Sequence, residues 1–165
     1  MKKPVHIIID SADKLGKTTQ CLMLSRVLDV PYVKMPNMRE YIEKGKEEEF
    51  SKLFNETIVQ FRYSDFVLDR GFTSSVVYST VLNRKFDLSY INRIEEILDP
   101  VVFIFSGKPF KKDDVYDKNV IQKVNDEFVR IANKKHYHLI DVTDKTELDI
   151  HGEIRNILKN EHGII

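Results

Sequence analysis

The sequence predicts an α/β fold in which a five-stranded parallel sheet is covered by helices on both faces. Short apolar runs, rich in β-branched residues, alternate about five times with segments in which apolar residues recur at helical spacing. Glycine and polar residues directly follow the first and third apolar runs, at the strand ends where open α/β sheets bind ligands. We expect residues 1–165 to form one domain, because this length suits a single ordinary core.

Each predicted element has its own pattern. The strands are short apolar runs typical of strands buried on both faces, and VVFIF is the clearest of them. They are residues 5–9, 31–35, 66–69, 101–105 and 137–142. The helices place apolar residues three or four positions apart. They are residues 18–28, 50–61, 74–82, 90–98, 120–131 and 150–158.

Composition narrows the class of protein. Apolar residues make up 42% of the chain and charged residues 32%, which is typical of a folded globular protein. Basic and acidic residues number 26 each, so no overall charge attracts the chain to nucleic acid or to a membrane. A single cysteine, Cys21, excludes an internal disulfide and favours a reducing compartment. No apolar run approaches the ~20 residues of a spanning helix, so we expect a cytoplasmic enzyme or binding protein.

Residues 10–20, DSADKLGKTTQ, match most of the phosphate-binding pattern G-x-x-x-x-G-K-[ST]. Such a loop points backbone N–H groups and a helix N-terminus at phosphate oxygens. Gly16, Lys17, Thr18 and Thr19 are in place; Lys17 would reach the β- and γ-phosphates of a nucleotide, and the Thr18 hydroxyl would bind Mg²⁺. Ser11 replaces the first glycine, which a serine can do where φ is negative, and we expect it to contact the nucleotide phosphates with Gly16, Lys17, Thr18 and Thr19. The alternative is a chance G-K-T on an ordinary turn.

A second polar motif, residues 67–78, VLDRGFTSSVVY, follows the third strand. Asp69 would end a strand beside the loop and could hold Mg²⁺ through water. Arg70 could grip a phosphate with two parallel hydrogen bonds. Ser74 and Tyr78 lie four apart, on one face of the next helix. The alternative is a strand-end aspartate that caps a helix, with Arg70 on the surface.

These two motifs resemble those of the thymidylate kinases among the P-loop nucleoside monophosphate kinases, and most of all the compact viral and phage forms. That family's loop, E-G-x-D-x-x-G-K-T-T-Q, corresponds to residues 10–20, and its D-R-Y-x-x-S-x-x-x-Y corresponds to residues 69–78. The segment DDVYDKNVIQKVNDEF and the strand LIDVTD are similar to later parts of the family. The resemblance covers most of the chain and implies the P-loop kinase fold with a short lid at about residues 106–117.

The resemblance implies transfer of the γ-phosphoryl group of ATP, with Mg²⁺, to a small nucleotide acceptor, dTMP or a close analogue. It implies that Asp13 contacts the 3′-hydroxyl of the acceptor sugar and that Arg70 holds the acceptor phosphate. Ser74 and Tyr78 would line the base or sugar pocket. Family members often dimerise, so a homodimer is also expected.

Two acceptor-side positions depart from the family pattern. The family's F-P-x-R appears as M-P-N-M-R, which places Arg39 one residue late for a phosphate ligand. The family's base-stacking phenylalanine corresponds to Phe54, but Ile58 stands where an arginine would follow. Phe54 can equally be a core residue of its helical stripe. We expect these departures to affect base specificity more than phosphoryl transfer.

The cation at the transferring phosphoryl group has two candidate sources. The segment SGKPFKKDD offers Lys108, Lys111 and Lys112 in a lid that could close over the phosphates. Lys14 lies within the loop, where some family members carry a basic residue that reaches the γ-phosphate. Lys14 is favoured, because a lid residue must first be ordered at an entropic cost and the family's lids use arginines for this task.

Two other functions stay open from the sequence. The chain could phosphorylate a different acceptor: a deoxynucleoside, a polynucleotide end or a modified base in DNA. The neutral net charge argues against long DNA. Alternatively, Ser11 and the altered base site could belong to a nucleotide-binding module without catalysis.

Overall fold

A computed structural model describes residues 3–36, 38–110 and 116–165 of the chain. Its five strands form one sheet in which every pairing is parallel. The strands are β1 His6–Ser11, β2 Tyr32–Lys34, β3 Phe66–Asp69, β4 Val101–Ser106 and β5 His138–Asp141. Their order across the sheet is β2-β3-β1-β4-β5. The predicted α/β fold class and the five-stranded parallel sheet are therefore confirmed.

Seven helices lie within the described part of the chain. They are α1 Lys17–Leu28, α2 Arg39–Glu43, α3 Glu47–Gln60, α4 Phe72–Val81, α5 Tyr90–Leu98, α6 Lys118–Lys135 and α7 Glu147–Asn160. Six of them match the predicted helices, most with longer ends. Helix α2 was not predicted, because it has five residues and none of them is buried, so it leaves no apolar stripe in the sequence.

The order of the strands explains where a ligand can bind. Helix α1 carries the chain from β1 to β2 at one edge, whereas α4 and α5 carry it from β3 across β1 to β4. Right-handed crossovers in opposite directions put these helices on opposite faces of the sheet. Helix α1 accordingly packs on α7, and α4 packs on α6. A crevice forms at the carboxyl ends of β1 and β3, where the connections diverge.

The core supports the two strands that border this crevice. Ile7, Ile8 and Ile9 of β1 are 0% exposed, and β3 is buried throughout. Ile9 is in register with Asp69 of β3 and with Phe103 of β4. Burial on both faces therefore fixes the point at which β1 turns into the loop, beside the end of β3. None of the described helices is long and apolar enough to cross a membrane.

Candidate active site

A cleft of about 750 Å³ opens at the carboxyl ends of β1 and β3. It brings together residues that lie far apart in sequence, including most of the predicted site. The predicted residues that line it are Asp13, Lys14, Gly16, Lys17, Thr18, Thr19, Arg39, Asp69, Arg70, Ser74 and Tyr78. The two sequence motifs therefore form one continuous site.

The loop between β1 and α1 has the backbone geometry of an anion-binding turn. Its positive φ angles fall at Lys14 (64°) and Gly16 (84°), while Ser11 ends β1 as an extended residue. A Cβ at Gly16 would also come within 3.2 Å of the Phe110 ring. The glycine is thus required at position 16, and the serine at position 11 costs no backbone strain.

Lys17 is held at the bottom of the loop, with 7% of its surface exposed. Its Nζ donates to the Ala12 carbonyl at 2.9 Å and to Ser11 Oγ at 3.1 Å, and lies 3.9 Å from Asp13 Oδ1. Burial, with the nearby charge of Arg70, lowers the pKa of Lys17 to about 8. The Ser11 side chain therefore supports Lys17 rather than facing the cleft, where its predicted contact with phosphate would lie.

Hard oxygen ligands meet at the start of α1. Thr18 Oγ1 donates to Asp69 Oδ2 at 2.6 Å, and the Tyr32 hydroxyl donates to the same carboxylate oxygen at 2.9 Å. The Lys34 Nζ lies 3.7 Å from Asp69 Oδ2 and 3.3 Å from Thr18 Oγ1, so a cation already neutralises this spot. A hydroxyl beside a carboxylate fits Mg²⁺, which prefers oxygen ligands and keeps several waters.

Arg70, the predicted ligand of the acceptor phosphate, lines another side of the cleft. Its guanidinium forms an ion pair with Asp13 and lies 5.4 Å from the centre of the Tyr78 ring. Its backbone has a φ of 70°, a strained conformation of the kind that clusters at functional sites. Gly71 follows, where a Cβ would come within 2.9 Å of Ile8 Cγ2. Close packing on β1 thus explains why glycine follows Arg70.

Asp10 is a site residue that the sequence analysis did not single out. Its carboxylate accepts hydrogen bonds from four donors: Ser11 N, Gly71 N, Ser74 N and Ser74 Oγ, at 2.5 to 3.2 Å. Burial raises the pKa of Asp10, against the opposing effects of the Arg70 charge and the Ser74 hydrogen bonds. Asp10 ties the loop strand to the start of α4. An aspartate directly after the apolar run of residues 5–9 was the available signal.

Several predicted residues lie elsewhere or at the margin. Phe54 is partly buried, packs against the core and stacks on Phe50 with ring centres 6.4 Å apart, so the structure does not bring it to the cleft. Ser51, about one helical turn earlier, lines the cleft instead. Arg39 is exposed at the mouth, where its Nε lies 3.3 Å from Glu43 Oε1.

The predicted lid is described only in part. Lys108 is exposed, and its backbone N–H donates to Thr143 Oγ1 at 3.1 Å, outside the cleft lining. Lys111 and Lys112 lie outside the described residues. Phe110 is described, and its N–H donates to the Lys14 carbonyl at 2.9 Å. The first part of this segment therefore rests on the phosphate-binding loop.

Further cleft residues come from segments without a recognisable motif. Lys34 ends β2 and Met35 follows it, Ser75 and Ser79 share the cleft-facing side of α4, and the loop after α4 contributes a last pair. That pair is Arg84 and Phe86. Sequence reasoning missed these residues because none of them belongs to a spacing pattern that marks a site.

A strand–loop–helix phosphate site beside a strand-end aspartate, in a parallel sheet of order 2-3-1-4-5, defines a P-loop kinase. Comparison with known proteins narrows the class. The chain is 28% identical over 187 residues to a probable thymidylate kinase of Methanocaldococcus jannaschii, covering 94% of this chain and 96% of the relative. The chain is thus similar to a thymidylate kinase over nearly its whole length and has the P-loop kinase fold. No protein-family model matches it.

Solved structures show the same fold. Thymidylate kinase from Candida albicans superimposes with a TM-score of 0.70 at 17% identity, over 99% of this chain and 94% of that one. Thymidylate kinase from Ehrlichia chaffeensis gives a TM-score of 0.66 at 20% identity, over 96% of this chain and 100% of the other. At these identities the likeness establishes the fold alone.

Proposed function

We propose that the protein transfers the γ-phosphoryl group of ATP, with Mg²⁺, to a deoxynucleoside monophosphate, and that dTMP or a close analogue is the favoured acceptor. One observation carries the proposal. Lys17 and the Thr18–Asp69 pair share a single cleft with the Asp13–Arg70–Tyr78 cluster. The first group suits the phosphates of ATP, and Arg70 in the second group suits another anion, such as the acceptor phosphate. The probable thymidylate kinase relative, aligned over nearly the whole chain, supports the choice of acceptor.

The chemistry asks for positioning and charge neutralisation rather than for a covalent intermediate. An oxygen of the acceptor phosphate would attack the γ-phosphorus, and the bond to the β–γ bridging oxygen would break, releasing ADP. A phosphate monoester has a second pKa near 6, so its attacking oxygen is already deprotonated at neutral pH. The reaction therefore needs no general base from the protein.

Each residue then has a defined task. Lys17 and the N–H groups around Gly16 would hold the phosphates of ATP. Thr18 and Asp69 would hold Mg²⁺, which neutralises charge on the β- and γ-phosphate oxygens when bound. Arg70 would hold the acceptor phosphate, beside Asp13 on the sugar. Lys14, which also lines the cleft, is the proposed cation at the transferring group.

A panel of acceptors tests the proposal. Purified protein is incubated with γ-labelled ATP and Mg²⁺ together with one of dTMP, dUMP, dGMP, dCMP, dAMP, thymidine or a DNA duplex with free ends. We expect labelled nucleoside diphosphate from at least one monophosphate, with dTMP or a close analogue used best. Label on thymidine or DNA alone would identify a kinase with another acceptor. ATP binding without any transfer would identify a non-catalytic module.

A further inference from the structure

A third arginine, Arg84, lines the cleft in addition to Arg39 and Arg70. It follows α4, whereas Arg70 precedes that helix. Between them, α4 spans ten residues, about 15 Å at 1.5 Å per residue. Ser74 and Tyr78 line the cleft along this length. A ligand whose phosphate lies at Arg70 can therefore extend along α4 and end at Arg84.

Contacts behind the cleft hold Arg84 in place. Its Nε lies 3.8 Å from Glu47 Oε1, and both side chains are 17% exposed. Its backbone N–H donates to the Ser79 carbonyl at 2.8 Å, and its guanidinium carbon lies 5.7 Å from the centre of the Phe86 ring. The two terminal nitrogens make no hydrogen bond to any residue that the structure describes. Arg84 is thus a pre-positioned donor that faces a cleft.

Phe86 supplies an aromatic face at the same end. Ser51 of α3 and Ser75 of α4 also line the cleft and hydrogen-bond each other, and the buried Asn55 amide donates to Ser75 Oγ at 3.3 Å. The Tyr78 ring is already covered by Arg70 and by Tyr116, at 5.4 and 5.9 Å. Phe86 lines the cleft with the Arg84 guanidinium carbon 5.7 Å from its ring centre, so a planar ligand that reaches Arg84 meets this ring as well.

We infer that Arg84 and Phe86 form the base-recognition site of the acceptor, and that the base presents a carbonyl oxygen there: thymine, uracil or guanine. The inference rests on the proposed function. An arginine side chain only donates hydrogen bonds. It matches the O4 of thymine or the O6 and N7 of guanine, whereas cytosine and adenine present an amino donor at the corresponding edge. Phe86 stacks on the base, and Glu47 positions Arg84 without touching the ligand.

Equilibrium binding separates base recognition from catalysis. The affinities of dTMP, dUMP, dGMP, dCMP and dAMP are measured by calorimetry without ATP, for the wild type and for Arg84→Gln. The wild type is expected to bind its preferred oxo nucleotide more tightly than dCMP and dAMP. Arg84→Gln should lower the affinity for that nucleotide by about 10- to 100-fold, which is the contribution of a charge-assisted hydrogen bond. The affinities for dCMP, dAMP and ADP should stay nearly unchanged. The preference between bases should collapse.

Matched variants guard against a folding defect. Arg93→Gln removes an exposed arginine on α5, outside the cleft, and should alter no affinity. Phe86→Leu, which leaves Arg84 in place, should weaken all five nucleotides while sparing ADP, because stacking is shared by every base. Glu47→Gln should shift the base preference in the direction of Arg84→Gln, by a smaller factor.

The outcomes distinguish this inference from the proposed function. A wild type that phosphorylates a nucleoside monophosphate while Arg84→Gln weakens all five bases equally, or none, would overturn base recognition by Arg84 and leave the kinase intact. A wild type that binds dCMP or dAMP most tightly would overturn the inference that the base presents a carbonyl oxygen to Arg84. A wild type that binds none of the five would overturn the proposed acceptor and this inference together.

Discussion

At the scale of single residues, the loop between β1 and α1 tolerates a serine at position 11, where its pattern has a glycine. A glycine at the start of such a loop usually allows an unusual backbone angle or a close approach. Here Ser11 is an extended strand residue, and the two positive φ angles fall at Lys14 and Gly16. The Ser11 hydroxyl instead accepts from Lys17 and donates to the Ala12 carbonyl at 2.6 Å. The serine thereby helps to hold the lysine on which the loop depends.

Lys17→Met should abolish turnover and leave the fold intact. Lys17 is a buried charge beside the cleft, and removing one well-placed charge from an active site typically costs ~10²–10³ in rate. The neutral side chain should not destabilise the protein, because burial already disfavours the lysine charge, as its lowered pKa shows. Steady-state kinetics and the thermal midpoint measure the two effects. Near-normal turnover in the folded variant would show that Lys17 is not needed for phosphoryl transfer, and would contradict the assigned role of the loop.

Lys14→Ala should lower kcat itself rather than only raise KM. Its backbone has a φ of 64° within the tight loop between β1 and α1, so Lys14 needs less ordering than a lid residue to reach the transferring group. A loss that appears only in the transition state lowers kcat and kcat/KM together. The comparison is Lys108→Ala, whose side chain is exposed outside the cleft lining. An unaffected kcat for Lys14→Ala at saturating substrates would point to the lid lysines.

At the scale of elements, the site depends on a tie between β1 and α4. Asp10 is a buried residue near the end of β1, and its carboxylate accepts hydrogen bonds from the Gly71 and Ser74 N–H groups at the start of α4. Between these contacts lies Arg70, with its strained backbone and its own N–H donating to the Ile9 carbonyl at 3.0 Å. The strain at Arg70 persists because both neighbouring elements are fixed by hydrogen bonds.

Asp10→Asn should destabilise the protein and impair acceptor use. The NH₂ group of the asparagine would replace one carboxylate oxygen, and it would face two groups that now donate hydrogen bonds to that oxygen. Each buried donor left without an acceptor costs about 1–3 kcal/mol. Urea unfolding measures the loss, and KM for the acceptor reports the displaced Arg70. The control is Asp126→Asn, on the exposed side of α6, which should change stability by less than about 0.5 kcal/mol. Equal stability of the two variants would show that Asp10 carries no such tie.

At the scale of the whole molecule, the cleft is an outcome of topology. Its walls come from the ends of β1 and β3 and from α1 and α4, which are joined through the central strands of the sheet. The buried isoleucines of β1 and the phenylalanines of β4 lie directly beneath it. Binding in the cleft should therefore stabilise the entire sheet.

Nucleotide binding should stabilise the described fold as one cooperative unit. ADP with Mg²⁺ at 100 times its Kd adds about 2.7 kcal/mol to the free energy of unfolding. For a chain of this size, that corresponds to a rise in Tm of about 5–10 °C. Differential scanning calorimetry should show a single transition that shifts as a whole, and a much smaller shift for Lys17→Met. Two transitions, of which one ignores the nucleotide, would contradict this.

The sequence by itself determined the fold class, the phosphate-binding loop and the strand-end Asp69–Arg70 pair. These features are local: buried parallel strands read as apolar runs, and a phosphate loop needs glycine, lysine and threonine at fixed spacing. The periodicity of the helix that contains Phe54 could not show which of its residues faces a ligand, and the structure turns Phe54 to the core and Ser51 to the cleft.

Only the tertiary structure decided the rest of the site. It joined Asp10 to Ser74 over 64 residues and Lys34 to the Thr18–Asp69 pair, and it placed Arg84 and Phe86 in the lining of the cleft. Each contact joins segments that are distant along the chain. A sequence pattern records spacing within one element, whereas the crossing of helices over a parallel sheet sets which distant side chains meet.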